Sequence, residues 1–200
     1  MLKAALTLLS LSLASAASAD PAALAERMGA DVLFLRHALA PGTGDPANFR
    51  LGDCSTQRNL SDEGRAQARS LGNAIRAANL PVAQVLTSQW CRARETADLL
   101  ALVPPVEEPG LNSFFGNPDS RTPTLDRLHQ ALAALPEGIT VMVTHQVVIT
   151  AITGQTVPSG GAVLYDVDTG QGAASRPSLK APRLSPSPAP PCPTVPISSP

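Results

Sequence analysis

Three short apolar runs that each stop on a polar, chemically active residue constrain this 200-residue chain more than any other feature. VLFL at 32–35 runs into Arg36-His37, QVLT at 84–87 runs into Ser88, and ITVMVT at 139–144 runs into His145. A strand apolar along its whole length is buried on both faces, as in a parallel sheet covered by helices. The stretches between these runs supply the helices. Ser61 stands as an N-cap, with Gly64 in the first turn and Ala66, Leu71, Ala74, Ile75 and Ala78 along one face, and the pattern ends near Asn79-Leu80-Pro81. Helices are also predicted over 20–28, 91–102 and 124–135, with a turn or two over 147–153 and a last strand over 162–167. Residues 38–59 and 103–120 read as loops, the latter with a short extended piece. Alternating strands and helices predict an α/β fold: a single three-layer domain with a mostly parallel central sheet and helices on both faces.

The ends of the chain differ from this middle. Residues 1–19 hold a single charge, Lys3, then a Leu/Ala-rich run and Ala17-Ser18-Ala19, which is the layout of a secretory signal cleaved after Ala19. The apolar run is too short for a transmembrane helix, and no later segment reaches that length. Residues 173–200 are Pro/Ser-rich without apolar period, the composition of a disordered tail. The expected organisation is therefore a signal peptide at 1–19, a domain at 20–172 and a tail at 173–200. An exported protein, periplasmic or secreted, is the expectation.

Charge sharpens this division. The whole chain carries −1, yet residues 20–172 hold all 16 acidic residues against 11 basic ones, every one an arginine. A domain at −5 with 3% aromatic residues overall excludes a basic, base-stacking nucleic-acid binder. Strand carboxyl ends gather at one edge of an open α/β sheet, where ligand sites form. At that edge His37, His145, Arg36 and the helix bearing Arg92 and Arg94 converge from distant segments. An acidic domain that focuses arginine and imidazole at one place is built to hold an anion. The guanidinium fork matches phosphate oxygens, and the helix N-terminus near residues 88–92 offers backbone donors.

Four segments in order carry a family resemblance: LRHA at 35–38, NLSDEGRAQA at 59–68, TSQWCRARETA at 87–97 and VTHQ at 143–146. The chain resembles the histidine phosphatase superfamily, the phosphoglycerate mutase-like enzymes, in its smaller single-domain branch; Ala38 replaces the glycine of the Arg-His-Gly signature. The resemblance implies a phosphoglycerate mutase-like fold and a phosphohistidine mechanism. His37 matches the nucleophile, Arg36 and Arg92 the phosphate-clamping arginines, and His145 the second pocket histidine, a third cation if protonated. His37 must be neutral at its attacking nitrogen, so an acceptor is expected on its other N–H. Arg58 and Asn59, on the loop before the second helix, are candidates for substrate contact. Arg94 and His129 are expected at the surface, and Trp90 and Phe114-Phe115 either at the cavity mouth or in the core.

The chain departs from the family at the proton donor. Where many members carry Leu-x-Glu, this sequence has Leu111-Asn112-Ser113, and serine is too weak an acid. Glu107, Glu108 and Asp119 are the nearby carboxyl candidates. Cys54 lies on the loop after His37 and Cys91 directly precedes Arg92, so a disulfide between them, which an oxidising compartment permits, ties that loop to the phosphate-clamping helix. Cys192 is left over in the tail. No ligand spacing implies a metal, and no cofactor is expected. The resulting expectation is a periplasmic phosphohydrolase acting on a small phosphomonoester, with phosphorylated cell-surface sugars as a substrate class. A non-catalytic phospho-ligand binding module on the same fold is the alternative.

Overall fold

The computed structural model describes Ala25 and residues 29–175. Of the helix expected over 20–28 only Ala25 is described, helical and buried; the export signal at 1–19 and all but the first three residues of the tail expected at 173–200 lie outside the described residues. The elements run β1 (Val32–Arg36), α1 (Asp62–Ala77), β2 (Val82–Thr87), α2 (Cys91–Leu100), β3 (Pro105–Glu107), α3 (Arg121–Leu132), β4 (Ile139–Thr144), α4 (Gln146–Thr153), β5 (Ala162–Asp166) and β6 (Gln171–Ser175). They form a six-stranded sheet in the order β3-β2-β4-β1-β5-β6. Strands β3, β2, β4 and β1 are parallel; β5 runs antiparallel to β1, and β6 runs antiparallel to β5. The fold is the expected single α/β domain, and the sheet is parallel through β3-β2-β4-β1 with antiparallel pairing at β5 and β6.

Period-two alternation assigns the strand residues to two layers. Leu33, Leu35, Val141 and Val143 pack beneath α1 and α2, meeting Leu71, Ile75, Ala97 and Leu100. Val32, Phe34, Met142 and Val163 face α3 and α4, meeting Leu128, Leu132, Val148 and Ile149. Both faces of β1 and β4 are thus covered, which is why VLFL and ITVMV carry no alternation of polarity.

One difference from the sequence reading lies at the domain boundary. Strand β6 pairs with β5 from Asp166↔Gln171 to Ala162↔Ser175, three residues beyond the expected end at 172. The sequence QGAAS has no β-branched or aromatic residue and gives no strand signal; it is ordered by the ladder of β5 and the turn through Gly170, whose φ is +66°. Helix α3 begins at Arg121, three residues before the predicted start, because Pro123 is tolerated in its first turn.

Helix α1 is capped as its sequence announces, with the Ser61 hydroxyl accepting from the Gly64 N–H at 3.1 Å. Its two glycines are points of backbone approach. A Cβ on Gly64 would lie 2.0 Å from the Leu39 carbonyl oxygen, and one on Gly72 would lie 1.9 Å from that of Leu100. Gly72 therefore sets how closely α1 packs on α2, the helix that carries Arg92. Gly72→Ala is expected to lower stability in urea denaturation by about 1–3 kcal/mol despite alanine's better helix propensity; an unchanged midpoint would contradict this packing.

Candidate active site

Register delivers the site. Arg36 pairs with Thr144 and Thr87 with Val143, so β1, β4 and β2 end nearly flush. The next residue of each chain, His37, His145 and Ser88, leaves the sheet at one edge. The His37 N–H is held by the Thr144 carbonyl and the Ser88 N–H by the Val143 carbonyl, each at 2.9 Å. A cavity of about 790 Å³ opens there, lined by Arg36, His37, Asp45, Arg58, Trp90, Arg92 and His145 among others.

The tautomer of His37 follows from its two partners. Nδ1 lies 2.8 Å from the Ala38 carbonyl, which can only accept, and Nε2 lies 3.2 Å from Arg92 Nε, which can only donate. The ring is therefore neutral, with its proton on Nδ1 and its lone pair on Nε2. Burial holds it neutral, and with Arg92, Arg58 and Arg36 outweighs the Ala38 carbonyl, pushing the pKa down to about 3. The acceptor required by the sequence reading is thus the main-chain carbonyl of residue 38.

His145 packs edge-on to His37, with ring centroids 5.3 Å apart, and its Nε2 lies 2.8 Å from Ser88 Oγ. Complete burial and the cationic surroundings hold its pKa well below the ordinary value. It is a neutral hydrogen-bonding group here rather than the cation it would be if protonated, and the third cation lining the cavity is Arg58. Arg58 donates to the carbonyls of Gly44 and Ala40 and reaches the cavity beside Arg92. Arg36 donates to the Val157 carbonyl at 2.9 Å, and its Nε is the one buried side-chain polar atom without a partner among the described residues. Desolvation lowers the pKa of both Arg36 and Arg58, and Arg92 lowers each further. Three guanidinium groups held together against mutual repulsion define an anion site.

Several expected site residues fall elsewhere. Asn59 turns its amide onto the carbonyls of Cys54 and Gln57 and shapes the loop rather than the cavity. Glu108 caps the turn at Gly110 and pairs with Arg127, Glu107 pairs with Arg94, and Asp119 is exposed; none of the three lines the cavity. Arg94 and His129 are exposed, as expected. Trp90 and Phe115 line the cavity, whereas Phe114 is in the core. The first N–H of α2, on Cys91, is taken by Gln57 Oε1 and is no donor to a ligand.

The residue missed by sequence reasoning is Asp45, the only acid lining the cavity among the described residues. Its Oδ1 accepts from Arg92 Nη1 at 2.7 Å and the Arg58 N–H at 3.0 Å, and its Oδ2 from Arg92 Nη2 at 3.2 Å and Trp90 Nε1 at 3.0 Å. Desolvation pushes its pKa up, but these hydrogen bonds outweigh it and the net shift is downward. Arg92 is only 3% exposed and spans the two groups, with Nε on His37 Nε2 and its terminal nitrogens on the carboxylate. The loop bearing Asp45 is fastened to the helix bearing Arg92 by the Cys54–Cys91 disulfide and by Phe49 stacked on Trp90 at 5.1 Å. No cluster of His, Cys, Asp and Glu able to hold a metal ion occurs among the described residues.

The chain belongs to the histidine phosphatase superfamily (branch 1), whose family model matches residues 32–130. Among solved structures, an Escherichia coli K-12 protein assigned as an alpha-ribazole-5'-P phosphatase shares the fold at TM-score 0.52 and 17% identity, covering 72% of this chain and 93% of its own. A mycobacterial glucosyl-3-phosphoglycerate phosphatase shares it at TM-score 0.50 and 15% identity, covering 72% of this chain and 96% of its own. A phosphoglycerate mutase from Thermus thermophilus gives TM-score 0.48 and 24% identity, covering 68% of this chain and 92% of its own. No curated protein matches the sequence.

Two measurements check the site's physics. The folded state holds both histidines neutral well below the pH at which an unfolded chain protonates them, about 6.5. Stability is therefore at full strength above pH 6.5 and falls as pH drops toward 3, by about 1.4 kcal/mol per pH unit for each ring. The urea midpoint is expected to be lower at pH 5.0 than at pH 7.5, a window above the carboxylate range, and equal midpoints would contradict buried neutral histidines. Reducing the disulfide, which spans a sequence separation of 37, is expected to cost about 3–4 kcal/mol in the loop-entropy account. A melting temperature insensitive to reductant would refute that contribution.

Proposed function

We propose that this protein is an exported phosphoric monoester hydrolase that transfers a phosphoryl group first to His37 and then to water. The observation that carries this reading is the His37 ring: its Nδ1–H is fixed by the Ala38 carbonyl and its Nε2 lone pair faces the cavity arginines. Such a nitrogen needs no deprotonation before it attacks phosphorus. Arg36, Arg58 and Arg92 surround the position where the three equatorial oxygens gather charge, and they are set in place before the substrate arrives. His145, neutral and braced by Ser88, offers a further hydrogen bond to the phosphoryl group.

The substrate class follows from the rest of the lining. Hydroxyl groups of Thr43, Ser113, Ser120 and Thr124 share the lining with the aromatic side chains of Trp90 and Phe115, a combination suited to a polyhydroxylated ring. We therefore favour a phosphorylated sugar, encountered outside the cytoplasm. The secretory layout of residues 1–19 and the Cys54–Cys91 disulfide support that compartment. A non-catalytic phospho-ligand module is the second reading, favoured by the carboxylate that occupies the Arg92 fork.

Phosphate release from 4-nitrophenyl phosphate and from sugar phosphates separates the two. Wild-type protein is expected to turn over, with His37→Ala lowering kcat by roughly a thousandfold or more. Equal release by both proteins would remove the catalytic reading.

A further inference from the structure

Hydrolysis of an alkyl phosphate needs a proton for the departing oxygen, and the family's usual glutamate position is occupied here by Ser113. We propose that Asp45 is the general acid of this site, protonated when a phosphate displaces its carboxylate from the Arg92 fork. The proposal rests on the phosphatase reading above and assigns one of its roles.

Placement carries the argument. Asp45 is the only carboxyl side chain lining the cavity among the described residues; Glu107 and Glu108 are paired with Arg94 and Arg127, and Asp119 is exposed outside the lining. Arg92 lies between Asp45 and the nucleophile, donating Nε to His37 and both terminal nitrogens to Asp45. A phosphoryl group seated on Arg92 thus has His37 at one end of the guanidinium and Asp45 at the other. The attacking and leaving atoms of an in-line transfer stand on opposite sides of phosphorus, so the acid belongs on the side away from His37.

The same contacts supply a proton switch. In the unliganded site Arg92, the Arg58 N–H and Trp90 Nε1 hold Asp45 ionised. A phosphate dianion competes for Arg92, removing the strongest of these partners and placing like charge beside the carboxylate. Both changes favour the neutral acid, whose proton comes from solvent. The remaining donors keep the carboxyl in position. Other charges facing it are those of Arg36 and Arg58, with the neutral rings of His37 and His145 beyond.

The chemistry balances in two half-reactions. As the His37 Nε2–P bond forms, the P–O bond to the leaving group breaks, and that oxygen takes the Asp45 proton to depart as an alcohol. Water then attacks the phosphohistidine, giving a proton to the Asp45 carboxylate as the N–P bond breaks, and inorganic phosphate leaves with His37 restored.

Two readouts test this. In a series from 4-nitrophenyl phosphate through phenyl phosphate to glycerol 2-phosphate, the loss of kcat/KM in Asp45→Asn is expected to grow with leaving-group basicity. It should stay within about tenfold for 4-nitrophenyl phosphate and reach about a hundredfold or more for the alkyl ester. These ratios do not depend on the folded fraction, and Asp45→Glu should restore part of the alkyl activity. In calorimetry at pH 7 with buffers of different ionisation enthalpy, tungstate binding should draw about one proton into the wild type and none into Asp45→Asn. A loss uniform across the series, or tungstate binding without proton uptake, would overturn the assignment and leave Asp45 as a positioning residue for Arg92. If the wild type shows no His37-dependent turnover of any ester, the phosphatase reading fails and this proposal falls with it.

Discussion

Arg92 is the residue on which the site depends. Its guanidinium is almost fully buried, donates to Nε2 of His37 and clasps the carboxylate of Asp45. A buried charge of this kind persists only where its hydrogen bonds are satisfied, and breaking one partner leaves the other stranded. The surrounding structure keeps both partners in reach. Thr96, one turn along α2, accepts from the Ala38 N–H at 3.0 Å and returns its hydroxyl to the Arg92 carbonyl at 2.6 Å, joining the segment after His37 to the helix bearing Arg92.

The sheet does the rest of the positioning. Parallel register makes three strands end together, so residues separated by more than a hundred positions emerge side by side with no loop needed to align them. Rigidity at the strand ends is complemented by attachment of the 38–59 loop, which has no strand or helix longer than one 3-10 turn. Gln57 links it to Cys91, the disulfide links Cys54 to the same residue, and Gln67 holds Leu39 at 2.9 Å. A loop that must carry a charged group into a buried site is fixed at several points because its own backbone supplies little order.

Most of this is legible in the sequence where a residue's role is set by local pattern. Apolar runs ending in Arg36-His37 and His145 mark buried strands and a common edge, and Ser61 marks the start of α1. Asp45 is not legible. It sits in Gly44-Asp45-Pro46, a context that reads as a turn, and its meaning comes from a partner 47 residues away. Asn59 misleads for the converse reason: its position beside Arg58 suggests the cavity, but its short amide is consumed by nearby carbonyls. Strand β6 is hidden because its order is borrowed from β5. Local chemistry is visible in one dimension; a group whose role is set by a distant partner is not.

The central claim is that His37 accepts the phosphoryl group through Nε2. Rapid acid-free quenching during turnover, followed by phosphorus NMR and peptide mapping, tests it most directly. The account predicts a phosphohistidine on Nε2 of His37, stable in base and labile in acid, that disappears in His37→Ala. A phosphoryl group on His145 or on another residue, or its continued formation without His37, would contradict the account.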